Sequence, residues 1–247
     1  NEAIVLTDTT LAAATLTPTI NNYTEGVVNA SSVTTLTGTN AEILAAYTAD
    51  NTNGTVIFTD TSVKLTVDAD TSITVTEANV LDTKTTGVIT ATISTTTIVT
   101  GNNADLDDLT GSGNAYTITV TTGAVTAAAL NYVNAATTEN VTVTAVTQIT
   151  GSATELATTY TTPDGGFIDL GNETIVLTDT TLAAATLTPD VNNYTTGVVN
   201  ASSVTTLTGT NAQILAAYTA DTAGTVSFND TSVKLTVDVN TLSLIHI

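Results

Sequence analysis

The chain repeats itself, because residues 1–50 match residues 172–221 at 45 of 50 positions, an offset of 171 residues. The similarity continues, since residues 222–241 follow residues 51–71 with one residue deleted. A fixed period is the sequence signature of repeat architectures, in which each unit packs against its neighbours in the chain. The repeat therefore constrains the fold more strongly than any single motif.

A shorter period lies inside the long one. Eight β-like apolar runs each follow a marker position, which is Glu139 in one case and a glycine in the others: Gly26, Gly54, Gly87, Gly113, Gly166, Gly197 and Gly224. These positions are spaced 28, 33, 26, 26, 27, 31 and 27 residues apart. The spacing predicts a solenoid with coils of roughly 28 residues.

Short helices are predicted between the strands. Six segments with helical spacing of apolar residues begin at good N-cap residues: Asn40, Thr76, Asn103, Thr126, Ser152 and Asn211. Glu42, Glu77 and Glu155 fall in the first turn of three of them, where the helix dipole favours a carboxylate. Two kinds of coil alternate and form two-coil units of about 52–61 residues.

Strand and helix in this constant order predict a parallel sheet with right-handed crossovers. We therefore expect a right-handed, β-rich or α/β solenoid of about eight coils, continuous over residues 1–241 as a single domain. The segments that begin at Val63 and Ile175 also resemble strands, so the number of strands per coil stays open. Residues 242–247 leave the pattern, and we expect them to be an artefact at the end of a fragment of a longer protein.

Composition narrows the function. Only 3 Lys and Arg oppose 23 Asp and Glu, and the formal charge of -20 excludes a nucleic-acid partner, because phosphate contacts need a cationic surface. Hydrophobic residues make up 42% of the chain, which predicts a folded core rather than an acidic disordered segment. The absence of Cys excludes a disulfide scaffold. No apolar run reaches the roughly 18 residues of a membrane span.

Two features suggest binding sites. Asp105, Asp107 and Asp108 form an acidic cluster, with a looser pair at Asp68 and Asp70, and clustered carboxylates are how proteins bind Ca²⁺. We favour the alternative that they lie in a first helical turn and in a solvated loop, so no cofactor or metal ligand is predicted. A flat Thr-rich face could also bind ice; the candidates are Thr74 and Thr76, Thr117 to Thr121, and Thr142 and Thr144. We favour outward-facing strand residues, a position that suits β-branched Thr.

Catalysis is not predicted. No carboxylate pair is singled out for acid–base work, no Ser has a candidate base, and the one histidine, His246, lies in the aberrant tail. Lys64 and Lys234 share one repeat position, where they would guard a strand edge. Equivalent tyrosines, Tyr23 with Tyr194 and Tyr47 with Tyr218, indicate packing between coils.

The recurring phrase, present as EANVLDTKTTGVITAT from Glu77 and as TTLTGTNAEILAAY from Thr34, resembles the tandem repeats of very large, Thr-rich bacterial surface proteins of adhesin-like type. The resemblance covers residues 1–241 and implies an extracellular stalk, fibre or filament on a prokaryotic cell surface, which self-associates through its ends or neighbouring repeats. It implies no site residues. A calcium-dependent adhesin or ice-binding module is the alternative.

Overall fold

A computed structural model describes residues 2–99, 104–162, 166–228 and 232–238. Within them, the strands are β1 (Ile4–Val5), β2 (Thr10–Ala12), β3 (Val28–Asn29), β4 (Thr35–Gly38), β5 (Val56–Ile57), β6 (Lys64–Val67), β7 (Ser72–Ile73), β8 (Ile89–Ile93), β9 (Ala115–Thr117), β10 (Ala124–Thr126), β11 (Val141–Thr142), β12 (Gln148–Gly151), β13 (Phe167–Ile168), β14 (Thr174–Leu177), β15 (Thr181–Ala183), β16 (Val199–Asn200), β17 (Thr206–Gly209), β18 (Val226–Ser227) and β19 (Lys234–Val237). The α-helices are α1 (Asn40–Thr48), α2 (Val75–Asp82), α3 (Ala127–Ala135), α4 (Ala153–Thr161) and α5 (Asn211–Ala223). Shorter helical turns are Thr15–Thr19, Ile20–Tyr23, Ala49–Asn53, Leu106–Asp108, Thr186–Asp190 and Val191–Asn193.

The chain divides into two compact units, residues 1–119 with 133–141 and residues 120–132 with 142–247. In the first unit, β1-β3-β5 form one sheet and β2-β4-β6-β8-β7 form another, with β9 also paired to β8. In the second, β10-β12-β14-β16-β18 and β15-β17-β19 form two sheets. A further two-stranded sheet joins β11 and β13.

The strands pair in parallel, and the chain returns to the same ladder after one strand-helix segment. Leu36 pairs with Leu65 and Leu65 pairs with Ile89, which are steps of 29 and 24 residues. The predicted parallel sheets with short helices are thus confirmed, as an α/β fold of repeated strand-helix units. A strand follows each of the eight marker positions. The segments at Val63 and Ile175 also form strands, β6 and β14, so these repeats carry additional strands.

The core consists of apolar side chains stacked along these ladders. One ladder runs through Val125, Ile149, Ile175, Val199 and Val226, all buried, on five successive strands. Burying each such side chain contributes about 1.5–3 kcal/mol. Because each member is covered by the strands before and after it, the ladder stabilises neighbouring segments rather than distant ones.

Capping explains where the helices begin. Thr39, Thr74, Ser152 and Thr210 each accept a hydrogen bond from the backbone three residues later, and the Glu or Gln at that third position bonds back to the capping residue. This reciprocal pair satisfies amides that have no partner inside the helix. The predicted caps at Asn40, Thr76 and Asn211 are wrong by one or two residues, because the Thr hydroxyl before each helix does the capping. The predicted cap at Asn103 lies outside the described residues, and only a single turn, Leu106–Asp108, follows it.

Threonine hydroxyls also connect neighbouring strands. The Oγ1 atoms of Thr34, Thr147 and Thr205 donate to carbonyl oxygens 24 or 25 residues earlier, at 3.0–3.1 Å. A hydrogen bond of this kind adds about 1 kcal/mol. Part of the abundance of Thr therefore follows from a bond that recurs between successive segments.

Candidate functional site

Three helices carry a tyrosine at the same distance from their N-caps. Tyr47, Tyr160 and Tyr218 lie eight residues after the caps of α1, α4 and α5. The rings of Tyr47 and Tyr218 each lie 5.4 Å from a phenylalanine, Phe58 or Phe228, in nearly the same tilted geometry. The position is therefore built into the helix and repeats with it.

Tyr160 shows what this side chain does when the next segment is present. Its ring stacks on Tyr194, with centroids 4.9 Å apart and planes 6° from parallel. Its hydroxyl donates a hydrogen bond to the carboxylate of Glu173, a residue with only 2% of its surface exposed. Burial, and then the hydrogen bond to Glu173 and its charge, raise the pKa of Tyr160 well above the ordinary tyrosine value. The phenol thus stays neutral and holds the buried carboxylate.

A Thr-x-Gly turn completes this contact. Thr195 Oγ1 donates to the Glu173 carbonyl at 2.6 Å and accepts from the Gly197 amide at 2.9 Å. A Cβ at Gly197 would lie 2.5 Å from the same carbonyl oxygen, so only glycine allows the two backbones to approach this closely. We call the set formed by the helix tyrosine, the following strand and the Thr-x-Gly turn a tyrosine junction.

The first compact unit contains a second tyrosine junction. Thr85 Oγ1 donates to the Val63 carbonyl at 2.5 Å and accepts from the Gly87 amide at 2.8 Å. Tyr47 is buried beside this turn, and burial raises its pKa to about 12 despite the hydrogen-bonding influence of Thr85. Val63 occupies the place that Glu173 has in the other junction. The tyrosine hydroxyl therefore accommodates either a carboxylate or a threonine.

Each end of the described chain carries half of a tyrosine junction. At the N-terminal end, Thr24 Oγ1 donates to the Glu2 carbonyl and accepts from the Gly26 amide at 2.8 Å, yet Tyr23 is 77% exposed. An open pocket of about 410 Å³ is lined by Glu2, Ile4, Tyr23, Thr24 and Glu25. These residues are equivalent, at the 171-residue offset, to those around Tyr160. The pocket is therefore the place where a junction tyrosine would pack.

At the other end, α5 and β19 have the helix tyrosine and the strand. Leu215 of α5 is 65% exposed and Leu235 of β19 is 47% exposed, whereas the equivalent Leu65 of β6 is fully buried under β8. These apolar side chains mark a surface that another strand-helix segment covers in the first compact unit.

The acidic cluster is used for local structure. Asp105 caps the turn Leu106–Asp108, and its carboxylate accepts from Thr97 Oγ1 at 2.7 Å and from the Val99 amide at 3.0 Å. Asp108 accepts from the Asp105 amide at 3.1 Å. Burial, and then the hydrogen bonding and nearby charges of the cluster, leave the pKa of Asp107 raised. Asp68 and Asp70 are exposed, and within the described residues no group of three or more His, Cys, Asp or Glu is placed to hold a metal ion.

The threonine candidates for ice binding occupy two kinds of position. Thr117, Thr119 and Thr121 point outward while the residues between them are buried, as predicted. Thr74 is instead the cap of α2, and Thr76 lies in its first turn, so that pair does not belong to a strand face. Thr142 is half-buried and Thr144 is exposed.

The repeated Lys and Tyr positions behave differently in their two occurrences. Lys64 lies on β6, between β4 and β8, so the prediction that it guards a strand edge is wrong, whereas β19 with Lys234 is the last strand of its sheet among the described residues. Tyr47 and Tyr194 pack as predicted, but Tyr23 is exposed. Tyr160 was not among the predicted residues, although its spacing from Ser152 repeats that of Tyr47 from Thr39.

Comparisons with protein-family models, with curated proteins and with solved structures find no match to this chain. In the part of the chain that the structure describes, no helix combines the length and the apolar character that crossing a membrane would require. His246 and the rest of residues 242–247 lie outside that part.

Proposed function

We propose that the chain is a structural segment of a long extracellular repeat protein, which forms a stalk, fibre or filament on a prokaryotic cell surface. Its segments would be coils of a right-handed solenoid, about eight in number, stacked in two-coil units. The protein would not be an enzyme, and its partners would be further repeats of the same kind.

One observation carries the proposal: the tyrosine junction recurs, with the same bonds, at Thr85–Gly87 and at Thr195–Gly197. The conserved residues of the chain's own repeat are therefore spent on joining one segment to the next. In repeat proteins, stability comes from such nearest-neighbour interfaces, and the structure can be extended by adding repeats.

The surface supports the same function. Exposed positions on the strands are mostly Thr, and the charge of -20 is spread over the chain. Like charges keep a long repeat protein soluble and prevent lateral sticking. The lack of Cys also suits a protein that folds without disulfides outside the cell.

The experiment is a length series made of one, two and three tandem copies of residues 1–171, each closed by residues 172–241. A solenoid adds about 4.8 Å for each coil, so six coils should add about 30 Å to the maximum dimension measured by small-angle X-ray scattering. The melting temperature should also rise with the number of copies, because each copy adds interfaces.

A matched series in which Gly87 and Gly197 are replaced by Ala should lose the increase in melting temperature. The proposal is contradicted if added copies behave as independent globules, with an unchanged melting temperature and a maximum dimension that grows as for beads on a flexible string.

A further inference from the structure

The first and last described strands occupy equivalent positions in the repeat. In the middle of the chain, β6 pairs with β8 through Leu65 and Ile89, and β14 pairs with β16 through Ile175 and Val199. At the N-terminal end, β1 pairs with β3 in the same way, through Ile4 and Val28. The sequence of β19, KLTV, is identical to that of β6. A strand of this class lies between the helix tyrosine before it and the Thr-x-Gly turn after it.

We propose that β19 and α5 of one molecule dock on the N-terminal end of a second molecule of this chain. In this complex β19 takes the place of β1 beside β3 of the second molecule, and Tyr218 packs on its Tyr23. One strand then completes a tyrosine junction that each molecule holds only in part. This inference rests on the proposed function, since it names the partner and the contact of the same repeat.

The apolar side chains of the two strands match. Leu235 and Val237 of β19 correspond to Leu65 and Val67 of β6, which are buried, and they would replace Ile4 and Leu6. Exposed Leu235 would be covered by the incoming β3, as β8 covers Leu65. The gain is the burial of apolar surface, at about 25 cal/mol for each Å².

The polar contacts have a template in the junction of Tyr47. There a valine, Val63, precedes the strand and the phenol lies beside Thr85. Val233 stands at the same place before β19, so the hydroxyl of Tyr218 would lie beside Thr24 of the second molecule. Tyr23 would then stack on Tyr218 as Tyr194 stacks on Tyr160.

The strand that must leave is weakly held. β1 has two residues, and its flanking backbone bonds to the β3 segment are Ile4 N to Val27 O at 3.1 Å and Leu6 N to Asn29 O at 2.9 Å. Val5 is exposed. β19 is a four-residue strand. The incoming strand therefore offers more than the outgoing one, although the two compete.

The test uses two variants that cannot associate with themselves. The acceptor lacks residues 1–7, which vacates the place of β1, and carries Tyr218→Ala and Leu235→Asn. The donor is the full chain with Tyr23→Ala. Sedimentation velocity is run at about 0.3 M NaCl, where the Debye length is under 10 Å and repulsion between two chains of charge -20 is screened.

The expected result is a 1:1 complex in the mixture, while each variant alone stays monomeric. Adding Tyr218→Ala to the donor should weaken the complex about tenfold, because a stacked aromatic pair is lost. Tyr132→Ala is the matched control, since this tyrosine of α3 is 49% exposed and belongs to neither docking element, and it should change nothing.

Circular dichroism checks that the acceptor folds, and a full-length acceptor with Ile4→Asn in place of the truncation serves if it does not. The inference is overturned if a folded acceptor gives no complex at the highest concentration, or if the complex is indifferent to Tyr218→Ala in the donor. The length series above uses single polypeptides, so it can succeed where this association fails.

Discussion

The two copies of the long repeat, residues 1–71 and residues 172–241, have nearly the same sequence but different surroundings. Glu173 and Tyr194 of the second copy are covered by α4 and its Tyr160, whereas the equivalent Glu2 and Tyr23 are exposed. Toward the other end the situation reverses, because Leu65 is covered by β8 and Leu235 is half exposed. The comparison teaches that burial in this fold is a property of the neighbouring segment as much as of the residue.

The largest difference between the copies is expected at the paired leucines. Leu65→Ala leaves a cavity in a fully buried site and should lower the free energy of unfolding by about 3 kcal/mol. Leu235→Ala should cost about 1 kcal/mol or less, because this side chain is already partly solvated. Urea denaturation of both variants measures the difference, with Leu36→Ala as a buried reference. Equal losses at the two positions would contradict the comparison.

Glycine substitutions come next. Gly197→Ala places a methyl group 2.5 Å from the Glu173 carbonyl oxygen, between two fixed segments, and should cost about 2 kcal/mol. At Gly26 the same distance separates the methyl group from the Glu2 carbonyl oxygen. Glu2 lies in the terminal strand segment, which can move away, so Gly26→Ala should cost clearly less. Thermal melts followed by circular dichroism test the order, and the reverse order would show that β1 is as firmly fixed as β14.

The tyrosine hydroxyl gives a smaller effect. Tyr160→Phe removes the hydrogen bond to the buried Glu173 carboxylate, and we expect a loss of about 1–2 kcal/mol. Glu173 keeps the amides of Gly171 and Asn172 as donors, which limits the loss. Tyr23→Phe should leave stability unchanged. Chemical denaturation of the two variants decides, and a Tyr160→Phe protein as stable as the natural chain would remove the hydroxyl from the junction.

The last prediction has no effect at neutral pH. The folded protein raises the pKa of Tyr47 from 10.0 to about 12, so this contribution to stability is fully present below pH 10 and is lost as pH rises toward 12. Absorbance at 295 nm should show Tyr47 ionising later than an exposed tyrosine. In Tyr47→Phe, stability should fall less between pH 10 and 12. A variant that loses stability as steeply as the natural chain would contradict this assignment.

The strands after the marker glycines could be predicted from sequence because Val and Ile alternate with polar residues there, as in Ile89–Ile93. The strands β4, β12 and β17 could not, since each contributes a single large apolar residue to an otherwise polar segment, as Leu36 does in β4. Their stability comes from ladder partners, such as Leu11 and Leu65, that are remote in sequence.

The site was harder to predict for the same reason. Comparison of the two copies aligns Tyr23 with Tyr194 and so suggests one role for both. Tyr160 lies between the copies and has no partner in that alignment. Only its spacing from the helix cap links it to Tyr47 and Tyr218, and a spacing measured from a cap becomes visible once the caps are known.

The recurrence of equivalent strands at the 171-residue offset has a genetic consequence. Leu11 pairs with Leu36 exactly one repeat before Leu182 pairs with Leu207. Unequal crossing-over that inserts or removes one whole period therefore returns every strand to an equivalent partner, whereas most other in-frame insertions would place Thr where Leu belongs. Such a gene can change length in large, fixed steps while its product keeps folding, and the length of the protein becomes a trait on which selection can act quickly.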